Sequence, residues 1–106
     1  MPSCKIFVDS KKLIPDSVAN LFNEMIIEGL EAQGEQALVA IIESKQVEPA
    51  GCYIEIICCR KPARTHEVLQ RLAIQLDKTA RRIFQTDDPI RVRIQLMDED
   101  FMSGVN

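Results

Sequence analysis

The chain has 106 residues, 46% hydrophobic and 27% charged, enough for one domain but near the size at which assembly helps to hide apolar surface. Its net charge of −3 combines an acidic first half with a second half in which arginines are interleaved with acids, and only 5% of its residues are aromatic, which argues against the basic, stacking face that nucleic acid demands. No apolar stretch approaches the ~20 residues of a membrane span, and the N-terminus lacks the layout of a signal peptide, so the expectation is a cytoplasmic protein with no membrane partner.

In chain order, Pro2 to Val8 reads as a short strand, with Ile6 and Val8 on one side and Lys5 and Phe7 on the other. Pro15-Asp16-Ser17 is a helix-start signal, because proline suits a first turn and Asp or Ser can accept orphan N–H bonds. Val18, Leu21, Phe22, Met25 and Gly29 follow as a stripe at helical spacing. After Gly34, Ala37 to Ile42 is a continuous apolar run, which predicts a strand buried on both faces. Residues 44–51, with Pro49 and Gly51, read as a loop.

The pattern then recurs. Cys52 to Cys59 is a strand, Arg64-Thr65 precedes a helix with Leu69, Leu72, Ala73, Leu76 and Ala80 on one face, and Ile90 to Met97 is an alternating strand. The five positions of this second stripe repeat the spacing of the first. Residues 1–106 are therefore one domain built from two β-α-β units, about 2–44 and 52–97. Two α+β folds fit that order: the ferredoxin-like sandwich, and the tautomerase fold, a four-stranded sheet with two helices on one face. The order of elements does not choose between them.

The cysteines, Cys4, Cys52, Cys58 and Cys59, form no CxxC pair. Cys58 and Cys59 are neighbours on a strand and point to opposite faces, so they do not share a metal. They are expected to be reduced, mostly buried thiols, and no cofactor or metal is expected.

Several segments together resemble the tautomerase superfamily. Met1-Pro2 is the start these proteins share, and Ser10 to Asp16 is similar to the segment that leads into the first helix of the migration-factor branch. Arg64-Thr65-His66-Glu67 resembles the arginine turn before a helix in the oxalocrotonate branch. Arg91 to Met97 resembles the closing strand of that branch, with an arginine six residues before a methionine, and Phe101 lies close to its active-site aromatic. The chain also departs from the pattern: Gly34-Glu35 stands where the migration-factor branch has a lysine, and the CxxC pair of that branch is missing.

The resemblance implies a homotrimer with sites between subunits and an N-terminal proline as catalytic acid/base. Removal of Met1 would turn the Pro2 nitrogen into a secondary amine, whose reference pKa near 8 falls further in an apolar pocket beside cations. Such an amine takes a proton from an enol or α-carbon and returns it elsewhere. Arg64 and Arg91 are the expected substrate-binding residues, since a guanidinium grips a carboxylate and stabilises a developing enolate. Arg93 shares the face of Arg91 and is its alternative, Arg60 and Lys61 are rim candidates, and Phe101 or Met102 would wall the pocket. The implied partner is a small carboxylate substrate, a 2-oxo or 2-hydroxy-dienoic acid. Lys11 and Lys12 occupy the turn that matches the arginine turn, Glu55 needs a partner in its apolar strand, and His66 is expected to be exposed in a first helical turn. Two further functions fit the same residues: a non-catalytic trimeric binding protein, and a ferredoxin-like module that binds a small ligand.

Overall fold

In the computed structural model, which describes residues 1–105, the order is β1 (Ser3–Asp9), α1 (Val18–Gly29), β2 (Leu38–Ser44), β3 (Cys52–Cys59), α2 (His66–Phe84) and β4 (Arg91–Met97), followed by a 3-10 turn at Glu99–Phe101. The alternation of β1 is obeyed: Cys4, Ile6 and Val8 are buried, while Lys5 and Phe7 face the other way. The first helix begins after Ser17 as expected, but not by side-chain capping. Ser17 takes a left-handed conformation (φ 65°) and its hydroxyl bonds no helical N–H. Thr65 does cap α2, its Oγ1 accepting from the Val68 N–H at 3.3 Å. Glu67 in the first turn and Arg81 and Arg82 in the last complement the helix dipole.

The buried stripe of α1 is rotated from the expected one. Val18, Phe22 and Ile26 are buried, and Leu30 follows them, whereas Leu21 stays 38% exposed. Phe22, Ile26 and Leu30 correspond to Leu72, Leu76 and Ala80 in the second repeat, a spacing one residue shorter than that of the expected stripes. Gly29 is used for close approach, since a Cβ there would meet Leu72 Cδ1 at 2.7 Å.

The sheet order is β2-β1-β3-β4. β1 and β2 are parallel, β3 and β4 are parallel, and the repeats join through antiparallel β1 and β3, where Ile6 is opposite Ile54. The two strands of each β-α-β unit are therefore direct neighbours. In a ferredoxin-like sheet a strand of the other repeat would separate them, so the topology excludes that alternative.

The core lies between one face of the sheet and the helices. Cys4, Ile6, Val8, Ile54, Ile56 and Cys58 meet Phe22, Ile26, Leu72, Leu76, Ala80 and Phe84, and each large side chain so hidden contributes about 1.5–3 kcal/mol. The other face is uncovered in the protomer. Ala37 to Ile42 is thus not buried on both sides: β2 is an edge strand, and Leu38 is 61% exposed. Glu55 lies on this open face between Lys5 and Arg93 in the neighbouring strands. It accepts a hydrogen bond from Tyr53 Oη at 3.1 Å, and the Tyr53 ring stacks on Phe7 with centroids 5.9 Å apart.

Asp77 ties α2 to the start of β4. Its carboxylate accepts from Arg81 at 2.9 and 2.6 Å and from the Ile90 N–H at 2.8 Å. The Arg81 bond chiefly, and then that N–H, hold its pKa below the ordinary 3.8. A carboxylate depressed in the folded state adds stability that is fully present above its unfolded pKa and is lost as the pH falls through the folded value. Asp77→Asn should lower the urea midpoint at neutral pH, and the gap from the parent should narrow as the pH is taken below about 4.

Candidate functional site

Pro2 immediately precedes β1, and its burial follows from the strand register. Ser3 is opposite Ile57, so one step further out Pro2 lies across from Cys58, on the helix-facing side of the sheet. Pro2 is fully buried, and its carbonyl accepts from the Leu38 N–H at 2.8 Å, joining the chain start to the edge strand. Met1 is exposed.

Arg64 is the one buried charged residue among the described residues, 6% exposed, and it belongs to this same end of the sheet. Its Nη1 donates to the Cys59 carbonyl at 2.7 Å, so it braces the end of β3 rather than capping α2. Burial pushes the Cys58 thiol up, while Arg64 and the N-terminal ammonium both act to lower it. Cys58 thus lies in the field of Arg64 and of the Met1 ammonium, and Pro2 is its neighbour across the strands. Around it, Lys61 Nζ is 3.9 Å from Glu35 Oε1, and Arg60 Nε is paired with Asp98 at 2.9 Å. Glu35 occupies the region where a lysine was missing from the sequence pattern, and here it faces a lysine supplied by the other repeat.

Phe101 and Met102 come to this end as well, because β4 runs parallel to β3 and Met97 pairs with Cys59. Phe101 is 77% exposed, and Met102 Sδ lies 3.3 Å from Cys59 Sγ. Arg91 and Arg93 do not come to it. They pair with Tyr53 and Glu55, five and three strand positions short of Cys58, or roughly 16 and 10 Å at about 3.3 Å per residue. Both are exposed and border a groove of about 470 Å³ between α2 and β4, with Ile74, Asp77 and Ile90. A wider groove, about 550 Å³, separates α1 from α2. Neither of these two grooves includes Pro2.

Lys11 and Lys12 follow β1, and the antiparallel β1–β3 pairing puts that turn at the opposite end of the sheet from Arg64. Lys12 Nζ reaches the Gln85 carbonyl at 3.5 Å. His66 is exposed in the first turn of α2, and Cys58 and Cys59 face opposite sides of β3, as the sequence implied. Among the described residues no three His, Cys, Asp or Glu side chains gather into a metal-binding group, and no helix is long and apolar enough to cross a membrane. Sequence reasoning missed the Cys59 carbonyl as the partner of Arg64. A backbone acceptor carries no residue-type signal, so only the strand register reveals it.

No protein-family model matches the chain, and no curated protein matches it. Solved structures do. The macrophage migration inhibitory factor-like protein of Entamoeba histolytica superposes with a TM-score of 0.76 at 12% identity, over 98% of this chain and 95% of that one. A native fused 4-OT gives 0.76 at 17% identity, over 96% and 92%, and a fused 4-OT described as a wild-type symmetric trimer gives 0.68 at 14%, over 98% and 92%. Identities this low establish the fold alone. It is the mixed four-stranded, two-helix tautomerase fold that the sequence resemblance implied.

The Arg64 contact is testable without any assumption about function. Arg64→Met keeps most of the aliphatic stem but removes the bond to the Cys59 carbonyl, and it should destabilise the fold by about 1–3 kcal/mol in urea denaturation.

Proposed function

We propose that this protein is a tautomerase-like isomerase that moves a proton within a small 2-oxo or 2-hydroxy-dienoic acid, with Pro2 as the acid/base. The observation that carries this reading is the convergence of buried Pro2 and buried Arg64 at one end of a tautomerase-fold sheet. Burial disfavours the protonated amine, and a guanidinium nearby disfavours it further, so a free Pro2 nitrogen would be neutral near physiological pH. It would remove a proton from the enol hydroxyl or α-carbon and return it to the other position. Arg64 would hold the carboxylate or polarise the oxo group, where it meets the developing enolate.

Arg91, Arg93 and the exposed Phe101 enter this reading through a neighbouring copy. Strand distance keeps the two arginines from the Pro2 of their own protomer, and the open sheet face and edge strand β2 call for cover. We therefore propose a homotrimer in which one protomer supplies Pro2 and Arg64 and the next supplies Arg91 or Arg93, with Phe101 as a wall. The trimeric fused 4-OT of the same fold supports this arrangement. A single monomeric species in sedimentation at micromolar concentration would overturn the trimer.

The second reading, a non-catalytic trimeric binding protein, is favoured by one observation. Pro2 is covered, and its nitrogen is an amide while Met1 is attached. A keto–enol assay separates the two, using phenylpyruvate-type and hydroxymuconate-type acids with the mass of each preparation confirmed. The form beginning at Pro2 should exceed an N-terminally extended form by at least about 100-fold, the lower end of general acid–base contributions. Its rate should fall as the pH drops below the amine pKa. Equal rates would exclude the proline mechanism, and no rate from either form would leave the binding protein ahead.

A further inference from the structure

Three sulfur-bearing residues share the open sheet face beside the Pro2 end, two of them with their sulfurs in contact, and the proposed proton transfer uses none of them. Cys59 closes β3 and Met97 closes β4, and as register partners on adjacent strands they present their side chains on the same face. Gln95 Nε2 donates to Met97 Sδ at 3.4 Å. The chain then turns back, closed by Phe101 N–H to the Asp98 carbonyl at 3.0 Å and Met102 N–H to the Glu99 carbonyl at 3.1 Å. The Arg60–Asp98 ion pair ties this turn to the end of β3. The result is the 3.3 Å contact of Met102 Sδ with Cys59 Sγ.

We propose that Cys59, Met97 and Met102 form a binding site for a soft monovalent cation, Cu(I). A thiolate with two thioethers is a ligand set that selects Cu(I), whereas Mg, Ca and Mn require oxygen ligands. Of the carboxylates in the turn, that of Asp98 is already engaged by Arg60. Two metal–sulfur bonds of about 2.3 Å each span sulfurs anywhere up to about 4.6 Å apart. The Cys59–Met102 contact therefore needs only a small rotation of Met102, and Met97, equally unbranched and adaptable, must turn from Gln95 to complete the set. On binding, the Cys59 S–H bond breaks and its proton goes to solvent. The thiolate and the two thioethers each donate a lone pair, and copper remains in the +1 state. Within the protomer Cys59 is also the one thiol of the four that is not buried: Cys4, Cys52 and Cys58 are, and burial pushes Cys4 and Cys52 up to about 12.

The site is tested on the reduced, full-length chain by anaerobic titration with Cu(I) in competition with the chromophoric chelator bicinchoninate. One Cu(I) per chain is expected to be withheld from the chelator. Met102→Leu and Met97→Leu, volume-conserving changes at exposed or half-buried positions, should each weaken binding by at least about ten-fold. Cys59→Ser should abolish it. Copper retained by Cys59→Ser, or undiminished affinity in both methionine variants, would overturn the proposal. These readouts do not depend on isomerase activity, so they stand apart from the function proposed for Pro2.

Discussion

The antiparallel pairing of β1 with β3 is the constraint from which the rest of the molecule follows. It joins two β-α-β units through Ile6 and Ile54, and both residues are fully buried beneath the helices. The same register carries Pro2 past the end of the strand to a place across from Cys58. It also sends the turns that follow β1 and β3 to opposite ends of the sheet. Lys11-Lys12 and Arg64, equivalent in the repeat, therefore serve different ends. A one-residue slip would turn Cys4, Ile6 and Val8 to the open face and destroy both the core and the site geometry.

Covering the sheet on one side only has a second set of consequences. The helix-facing side is apolar throughout its centre, while the other side mixes Phe7, Tyr53 and Ile57 with a transverse row of Lys5, Glu55 and Arg93. That row gives Glu55 cationic neighbours on both sides and a hydrogen bond from Tyr53. Tyr53 is raised by desolvation first and by the Glu55 bond second. The apolar part of this face is the surface that the proposed trimer would bury, with its charges paired across the contact.

Arg64 is a buried cation with a structural contact of its own. Its bond to the Cys59 carbonyl fixes the end of β3, and the same placement puts its charge near Cys58, the register neighbour of Pro2. The 3-10 turn after β4 works in a similar way. Arg60 and Asp98 hold it against β3, and it delivers Phe101 and Met102 to the end of the sheet where Pro2 begins.

By itself the sequence determined the duplicated β-α-β order, the alternation of β1 and β4, and the exposure of His66, because each rests on local periodicity or a helix-start signal. It placed the α1 stripe slightly out of phase. Leu21 and Ile26 are equally apolar, and only packing against the sheet and α2 selects the side that is buried. The family resemblance pointed to Pro2, Arg64, Arg91 and Arg93 without saying which meet. Tertiary structure decided that, because strand direction and register set distances that no spacing along the chain contains: Pro2 and Arg64 come to one end of the sheet, and Arg91 and Arg93 stop short of it. Tertiary structure also chose the tautomerase topology over the ferredoxin-like one, since neighbouring and separated strands within a β-α-β unit share the same order of elements and differ only in which backbone groups pair.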